Sequence, residues 1–476
     1  MIIFGNDSRE NLIKGVNIIG DAVQTTYGPN GKNVFIKGVS DLIVTKDGAT
    51  VAKYVEDEDP SIQMGIDIVR KIAKKTEDDV GDGTTTSTIL AKEIVNLLKS
   101  SKDHPIEMGR KLQEDVKKVT DYLYTLKKDI SSKEDLIKVA TIATNNDEVL
   151  GQLIGEAFYR VGKEGVVHVE ESSDFETTVI YTKGVSIESG YAAPYFINNE
   201  NNECVLENVM IYISEYKLNK PKEILDIANK AIRMEKSLLI IAPKSDSSVI
   251  TTLLTNSNNG TLKACLVNAP NHGHYREMLY KDIKNNIGEF CNKVIVSMHK
   301  TVLIEGTKND ECPLEIKKIH KILENKSLSD FEKSFHAKRL ANYKGGIATI
   351  YSGGFSPVEM NEKKDRIEDA IGAVRAAFHE GVLPGGGTAL AKASDNLTLN
   401  YLNRVLYIPS RILRESSNIE LIGFKKEFWV DIDLKTKEIK DYYEIGVLDP
   451  YLVTKISLEN AVSAASLILT SGCSIY

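Results

Sequence analysis

The spacing of apolar residues predicts helices near both ends of the chain. Between residues 8 and 23, apolar side chains recur at helical intervals, as Leu12, Val16, Ile19 and Val23. This spacing places them on one face, so the segment is predicted to pack as an amphipathic helix. Helical patterns follow at residues 62–79 and, near the other end, at residues 359–380 and 452–469.

The sequence between these helices contains predicted strands. Residues 25–33 hold two glycines and a proline, which interrupt the first helix, and two β-branched runs follow them around a turn. From about Val166 the sequence becomes rich in strands, and the apolar runs SLLIIAP, ACLVNAP and KVIVS alternate with helical stretches. This alternation predicts an α/β domain in the middle of the chain.

Composition limits the class of protein. The chain has 476 residues, of which 42% are hydrophobic and 27% charged; this predicts a globular protein of roughly two to four domains. A formal net charge of −7 provides no basic field for nucleic acid or anionic lipid. The five cysteines are scattered without a CxxC pair, which favours a reducing compartment. No signal peptide or membrane span is apparent, so we expect a cytoplasmic protein.

The segment Gly81–Thr86, GDGTTT, is the strongest chemical signal. Its glycines would let the backbone approach a phosphate, and the helix predicted to follow would direct free N–H groups at the anion. Asp82 offers an oxygen ligand suitable for Mg²⁺. An ordinary capped helix start explains the same residues. The chain lacks GxxxxGK[ST], which excludes a P-loop enzyme.

Two further segments offer similar chemistry. Gly385–Gly387 precedes a predicted helix start at Thr388, and it could bind phosphate or serve as a flexible linker. Thr45–Gly48 follows a strand, and it could place Lys46 and Asp47 beside a phosphate or form a plain turn.

Asp369 lies in the predicted helix 359–380. It lies about 200° around the helix from Ile367, away from the apolar stripe that continues with Ala370, Ile371 and Val374. By itself, a carboxylate in this position is interpreted as a solvated surface group.

Taken together and in order, the motifs resemble the group I (GroEL-like) chaperonins over nearly the whole chain. The segments that carry the resemblance are FGNDSR, TTYGPNGKNV, VTKDGATVA, VGDGTTTSTILA, VGKEGVVHVEE, GYAAPYFIN, EMNEKKDRIEDAIGAVRAAFHEGVLPGGG and GVLDP. The resemblance implies a multidomain α and α/β chaperonin fold. Its expected domains are a mostly α-helical equatorial domain (1–127 and 381–476), a small α/β intermediate domain (128–183 and 347–380) and an inserted α/β apical domain (184–346).

The resemblance also implies an ATP site with Mg²⁺ in the equatorial domain. The residues that match nucleotide-binding positions are Thr26, Gly28, Pro29, Lys46, Gly83, Thr84, Thr85, Thr86, Gly386, Asp431 and Asp449. Asp82 matches the magnesium ligand. Asp369, assisted by Asp47, matches the carboxylate that orients and deprotonates the attacking water. Gly184, Gly346 and Gly381 match hinge glycines.

The implied partners are non-native protein chains and further copies of this chain in a ring of seven subunits, single or double. An apical apolar patch would bind exposed hydrophobic segments. The residues that match it are Tyr191, Tyr195, Phe196, Leu225, Ile250 and Leu254. The alternative is that these side chains, the helical ones especially, pack the domain.

The sequence departs from the family pattern at several places. Ala228 and Thr255 replace larger aliphatic residues of the patch, which leaves the need for a co-chaperonin open. Pro357 and Ser189 replace a Glu and an Arg that pair between neighbouring subunits. The segment from Ala391 to Asp431 is shortened, and this region normally helps to join two rings. Such shortening resembles chaperonins encoded by large bacteriophages.

Two other functions compete with an ATP-driven chaperonin. A passive holdase or structural ring would bind nucleotide poorly and would not cycle, although the intact Asp47, Asp82 and Asp369 argue against it. A metal-dependent hydrolase would use His272 and His274, but two histidines in a polar loop are weak evidence without further ligands.

Overall fold

The structure is a computed structural model. It describes residues 2–37, 42–163, 165–172, 174–199, 202–270, 273–307, 313–323, 328–344, 346–417, 430–432 and 436–476.

The α-helices are α1 (Gly5–Gln24), α2 (Gly48–Tyr54), α3 (Pro60–Val80), α4 (Thr84–Leu98), α5 (Pro105–Leu126), α6 (Lys133–Ala143), α7 (Glu148–Val161), α8 (Leu225–Arg233), α9 (Ser247–Asn258), α10 (His274–Asn286), α11 (Pro313–Leu323), α12 (Asp330–Lys344), α13 (Pro357–Glu380), α14 (Thr388–Asn396), α15 (Ile408–Ser416), α16 (Tyr442–Ile445) and α17 (Tyr451–Leu469). Short 3₁₀ helices lie at Pro194–Phe196, Pro221–Ile224 and Val405–Tyr407.

The β-strands are β1 (Ile2–Phe4), β2 (Val34–Lys37), β3 (Leu42–Thr45), β4 (Val166–Glu171), β5 (Thr178–Ile187), β6 (Cys204–Ile213), β7 (Ser237–Ala242), β8 (Ala264–Asn268), β9 (Phe290–Val296), β10 (Thr301–Gly306), β11 (Gly346–Ser352), β12 (Val382–Pro384), β13 (Val430–Ile432), β14 (Ile439–Asp441), β15 (Leu448–Pro450) and β16 (Cys473–Ile475).

One compact unit contains both ends of the chain, as Met1–Tyr159, Val169–Val179 and Ile350–Tyr476. Its core is formed by the packed helices α1, α3, α4, α5 and α17. The predicted apolar face of α1 lies in this core, since all four residues that defined it are buried. The helices predicted at residues 62–79, 359–380 and 452–469 are confirmed as α3, α13 and α17.

Helix α17 corrects one expectation from the sequence. By length and composition it could cross a membrane, although no such segment was expected. Its side chains instead fill the core of this unit, where Leu458, Ala461 and Ile468 are fully buried. An apolar helix surrounded by other helices is the core element of a globular unit.

Local signals in the sequence fix where α3 and α4 begin and end. Asp59 caps α3 by accepting a hydrogen bond from the backbone N–H of Ser61 at 2.8 Å, and Pro60 occupies the first turn. The helix stops at Gly81, whose φ of 69° is the left-handed conformation that ends helices. Helix α4 starts three residues later, at Thr84. The GDGTTT segment is therefore a tight link between two core helices.

Two small antiparallel sheets in the same unit support these loops. The predicted hairpin is confirmed by β2 and β3, whose register joins Val34 to Thr45 and Lys37 to Leu42. Strands β12 and β15 pair Leu383 with Asp449. This second pairing holds the Gly385–Gly387 loop beside the segment that carries Asp449.

The second compact unit comprises Arg160–His168 and Ile180–Thr349. Its sheet contains β5, β10, β9, β6, β7 and β8 in that order. Strands β6, β7 and β8 are parallel, with α8 and α9 as their crossovers, whereas β6, β9, β10 and β5 pair antiparallel. The runs SLLIIAP, ACLVNAP and KVIVS form β7, β8 and β9, which confirms the α/β prediction.

Four elements contain residues of both units, namely α7, β4, β5 and β11. The chain therefore passes between the units within regular structure. The predicted division into equatorial, intermediate and apical segments remains a prediction.

Candidate nucleotide site

The first unit contains a cavity of about 800 Å³. Most residues predicted to bind nucleotide or to act in hydrolysis line it, namely Thr26, Gly28, Pro29, Lys46, Asp47, Asp82, Gly83, Thr84, Thr85, Thr86, Asp369, Gly386 and Asp449. Asp431 lies in β13, where it pairs with Lys440, and its side chain falls outside the described residues. Positions separated by hundreds of residues thus converge on one cavity, while their roles remain predictions.

Close packing brings two of the predicted loops, Thr45–Gly48 and Gly81–Thr86, together with α13. A Cβ atom added to Gly48 would lie 2.1 Å from Thr85 Oγ1, so a side chain there would push α2 away from α4. A Cβ atom on Gly81 would lie 2.8 Å from the Cα atom of Gly372 in α13. Gly372 is one helical turn beyond Asp369. These contacts explain how Asp47, Asp82 and Asp369 come to line the same cavity.

Two helices begin at the cavity wall. The residues before and within the first turns of α4 and α14 line it, including Gly83, Thr84, Gly387 and Ala389. The first N–H groups of a helix have no partner within the helix, and the helix dipole is positive there. The arrangement suits a polyanion with several phosphate groups.

The carboxylates in the cavity differ in how they are held. Asp47 caps α2, because its oxygens accept the N–H groups of Ala49 at 3.0 Å and Thr50 at 2.6 Å. Asp82 accepts the N–H of Gly83 at 2.5 Å. Burial raises the pKa of Asp82 to about 6, and the negative charge of Asp47 adds to the shift. The N-cap residue of α4 is Gly83, and no side chain caps this helix.

Asp369 lies in the wall of the cavity, whereas the isolated pattern suggested a solvated surface group. Burial raises the pKa of this carboxyl well above its usual value, and repulsion from Asp47 and Asp82 raises it further. Helical periodicity located its face of α13 correctly. It could not show that the same face packs against the GDGTTT link.

Asp449 connects the second glycine loop to the cavity. Its carboxylate accepts the backbone N–H groups of Gly386 and Gly387, which lowers its pKa, but burial and the charge of Asp82 dominate and raise that pKa to about 6. The predicted phosphate loop is thus fixed to β15, the strand that carries Asp449.

The donor set of the cavity fits Mg²⁺ bound together with a nucleotide. Among the described residues, no group of three or more His, Cys, Asp or Glu side chains could hold a metal ion by itself. Mg²⁺ usually keeps several waters and takes one or two carboxylates plus phosphate oxygens. Asp82 could provide that carboxylate. Burial is the main cause of the raised pKa values of Asp82, Asp449 and Asp369, and repulsion from neighbouring carboxylates adds to it. A bound cation would offset this repulsion.

Sequence reasoning missed several residues of this cavity. The additional lining residues include Tyr27, Asn145, Asn146, Glu362, Asp365, Arg366, Leu413, Arg414 and Tyr442. Asp365 and Glu362 precede Asp369 by four and seven residues, so helical periodicity could have found them. Leu413 and Tyr442 carry no phosphate-binding signal, and only the tertiary structure places them here.

The predicted substrate patch in the second unit is divided. Tyr195 is 81% exposed and Leu225 is 45% exposed. Tyr191, Ile250 and Leu254 are half-buried and pack against the core of the unit. Phe196 corrects the prediction, because it is only 4% exposed and belongs to that core. A buried ring cannot form part of a surface for exposed hydrophobic segments.

The three glycines predicted as hinges lie within a strand, at the start of a strand and directly after a helix, rather than in one loop. Gly184 is within β5 opposite Ile304, and Gly346 begins β11. Gly381 follows α13 with φ of 83°. Their motion remains a prediction. Of the two histidines of the alternative hydrolase, His274 begins α10, and His272 lies outside the described residues.

Comparisons with known proteins concern the fold of the chain and its family. Residues 19–238 match the model of the TCP-1/cpn60 chaperonin family. The chain is also similar to the chaperonin gp146 from bacteriophage EL 2 (Pseudomonas aeruginosa), whose crystal structure in the presence of ATP-BeFx has two forms. Crystal form II matches with a TM-score of 0.77 and 22% identity, over 100% of this chain and 99% of that chain. Crystal form I matches with a TM-score of 0.70, at the same identity and coverage.

Proposed function

We propose that this chain, which has a chaperonin fold and matches the chaperonin family model over residues 19–238, is an ATP-driven chaperonin. Its ATP hydrolysis would depend on Mg²⁺ and would serve the folding of non-native polypeptides inside a ring. The observation that carries the proposal is the single cavity in which two helix N-termini meet Asp47, Asp82 and Asp369.

In this proposal, nucleotide binding uses the backbone more than side chains. The N–H groups at the starts of α4 and α14 would hold phosphate oxygens, and the hydroxyls of Thr84, Thr85 and Thr86 would add donors. Mg²⁺ held by Asp82 would neutralise charge on the phosphates. Tyr442 and Leu413 are the aromatic and apolar lining residues suited to the base.

Hydrolysis requires a group that orients water and accepts its proton. Asp369 has this role in the proposal, because its carboxylate is in the cavity wall and its raised pKa makes it a stronger base than an ordinary aspartate. Asp47 assists through its negative charge, which raises the pKa of Asp369. Phosphoryl transfer depends mainly on such positioning and on charge stabilisation.

Steady-state phosphate release by the purified full-length chain tests the ATPase. Turnover is expected with Mg²⁺ and ATP and should cease when EDTA removes the metal. A chain that binds ATP but releases no phosphate would favour the second candidate, a passive holdase. Suppression of the aggregation of an unfolded protein without ATP would then be its only activity.

The neighbouring subunits and the substrate are also part of the proposal. Seven copies of the chain would form a ring, single or double, around a central cavity in the cytoplasm. Among the residues predicted to contact substrate, Tyr195 and Leu225 are the most exposed. Inter-ring contact is expected to be weak because the segment from Ala391 to Asp431 is short. Mass measurement of the apo, ATP and ADP states tests this: a stable double ring in all three contradicts weak stacking, and a monomer in all three contradicts the ring.

A further inference from the structure

Helix α13 places Asp365 in the nucleotide cavity together with Asp369. Asp365 precedes Asp369 by four residues, and both line the cavity. Residues four apart on a helix lie on the same face, with Cβ atoms about 6 Å apart. A water molecule between two such carboxylates can donate one hydrogen bond to each.

Among the described residues, neither of these two carboxylates has a side-chain partner. Within the part of the chain that the structure describes, no side-chain hydrogen bond or ion pair joins Asp365 or Asp369 to another residue. The nearby cations on α13 have other partners: Arg366 contacts Glu362 at 2.9 Å and Asp147 at 3.9 Å, and Lys364 contacts Glu171 at 3.2 Å. The acceptor oxygens of both carboxylates are therefore available to water.

A structural role does not account for Asp365. It lies in the interior of α13, which runs from Pro357 to Glu380, so it caps neither end of the helix. Burial raises its pKa to about 6, and the charge of Asp47 contributes to the shift. A partly buried carboxylate without a partner lowers the stability of the fold. Such groups occur preferentially where the chemistry of a site uses them.

We propose that Asp365 accepts a hydrogen bond from the attacking water whose other hydrogen faces Asp369. This inference rests on the proposed ATP hydrolysis. In the step, the O–H bond that faces Asp369 breaks and its proton moves to that carboxylate. The water oxygen forms a bond to the γ-phosphorus, and the bond to the bridging oxygen breaks, with its electron pair leaving on ADP. The O–H that faces Asp365 remains intact and fixes the direction of the water.

Kinetics of single and double variants of the full-length chain test the role of Asp365. Asp365→Ala should lower kcat about tenfold and leave KM for ATP within about twofold, because the lost contact is to the water and not to the nucleotide. Asp365→Asn keeps an acceptor oxygen of the same shape and should retain most of the turnover. When Asp365→Ala is added to Asp369→Ala, turnover should slow by less than about twofold further, since both groups act on one water.

The control is Glu368→Ala, which removes an exposed acid of α13 that does not line the cavity and should leave kcat within about twofold. The inference is wrong if Asp365→Ala turns over like the wild type. It is also wrong if the fold reduction of kcat in the double variant equals the product of the reductions in the two single variants. A wild-type chain without turnover would overturn the proposed function and this inference with it. Wild-type turnover that Asp365→Ala leaves unchanged overturns this inference alone.

Discussion

The two units bury carboxylates in opposite ways. In the second unit, Asp282 is 0% exposed and fully compensated: Arg339 contacts it through Nε at 2.6 Å and through a terminal nitrogen at 2.9 Å, and the Tyr343 hydroxyl donates to it at 2.8 Å. In the nucleotide cavity of the first unit, Asp365 and Asp369 have no such partners among the described residues.

The same difference distinguishes carboxylates that hold the fold together from those of the candidate site, even within one unit. Asp115 in the first unit is also 0% exposed, but it accepts the backbone N–H groups of Asn400, Tyr401 and Leu402 and therefore fixes a loop. A buried charge that is fully hydrogen-bonded holds elements together, whereas a cluster of like charges is maintained against its own repulsion. Compensation, rather than burial alone, identifies the candidate site.

The largest expected effect comes from breaking the compensated pair. Asp282→Ala leaves the Arg339 guanidinium buried without its carboxylate, which should destabilise the region around α10 and α12 by about 3 kcal/mol. Hydrogen exchange of the backbone amides of these helices in the full-length chain should accelerate by roughly 100-fold. ATP affinity should stay within about twofold, because the nucleotide cavity is elsewhere.

Two further variants sharpen this test. Asp282→Leu combined with Arg339→Met should recover much of the protection, since a buried apolar pair needs no hydrogen bonds. Asp226→Ala, at an exposed position of α8, should change exchange by less than about twofold. Equal exchange in Asp282→Ala and in this control would show that the buried pair contributes nothing to local stability.

Removing a carboxylate that has no partner should affect ATP turnover strongly and the stability of the fold little. Asp369→Ala is expected to slow ATP turnover by roughly 100-fold or more, because it removes the group that, in the proposed function, accepts the proton from water. Nucleotide affinity and thermal stability should be nearly unchanged. Phosphate release and calorimetric titration with ATP measure the two quantities, and unchanged turnover would exclude Asp369 as the base.

Asp82 is intermediate between Asp282, which has several hydrogen-bond partners, and Asp369, which has none among the described residues, because Asp82 accepts one backbone N–H. Asp82→Ala should weaken binding of ATP in the presence of Mg²⁺ by about tenfold, because it removes the proposed protein ligand of the metal. In EDTA the loss should be much smaller. Calorimetric titration of both states decides the question: wild-type affinity with Mg²⁺ would mean that Asp82 only shapes the start of α4.

The smallest expected effect is a dependence of stability on pH. The pKa values of Asp365 and Asp449 are about 6 in the folded chain, against 3.8 for an unperturbed aspartate. The folded chain therefore binds more protons, and stability decreases as pH rises from about 4 through 6. Between pH 5.5 and 7.5, the nucleotide-free first unit should lose about 1 kcal/mol after solvent screening is considered.

Thermal unfolding without nucleotide at these two pH values measures this effect. The melting temperature of the first unit should be a few degrees higher at pH 5.5. Asp365→Asn should reduce the difference because it removes one of the groups whose pKa is raised in the folded chain. A melting temperature that rises with pH would contradict the excess of negative charge in the cavity.

Local chemistry explains which parts of the fold could be predicted. The α3–α4 link follows from Asp59, Pro60 and Gly81, each of which acts on its neighbours in the sequence. The strands β7, β8 and β9 follow from short apolar runs for the same reason. The burial of Phe196 could not be predicted in this way, because it depends on contacts with distant elements.

The sequence alone determined several helices and strands, the candidate phosphate loops and, through the resemblance, the chaperonin fold. The tertiary structure alone decided that the loops after β3, after α3 and before α14 share one cavity with the polar face of α13. Close contacts such as Gly81 against Gly372 create this arrangement, and they join residues hundreds of positions apart. Charge repulsion and desolvation depend on distances through space, so Asp365 and Asp369 gained their significance only when the chain was folded.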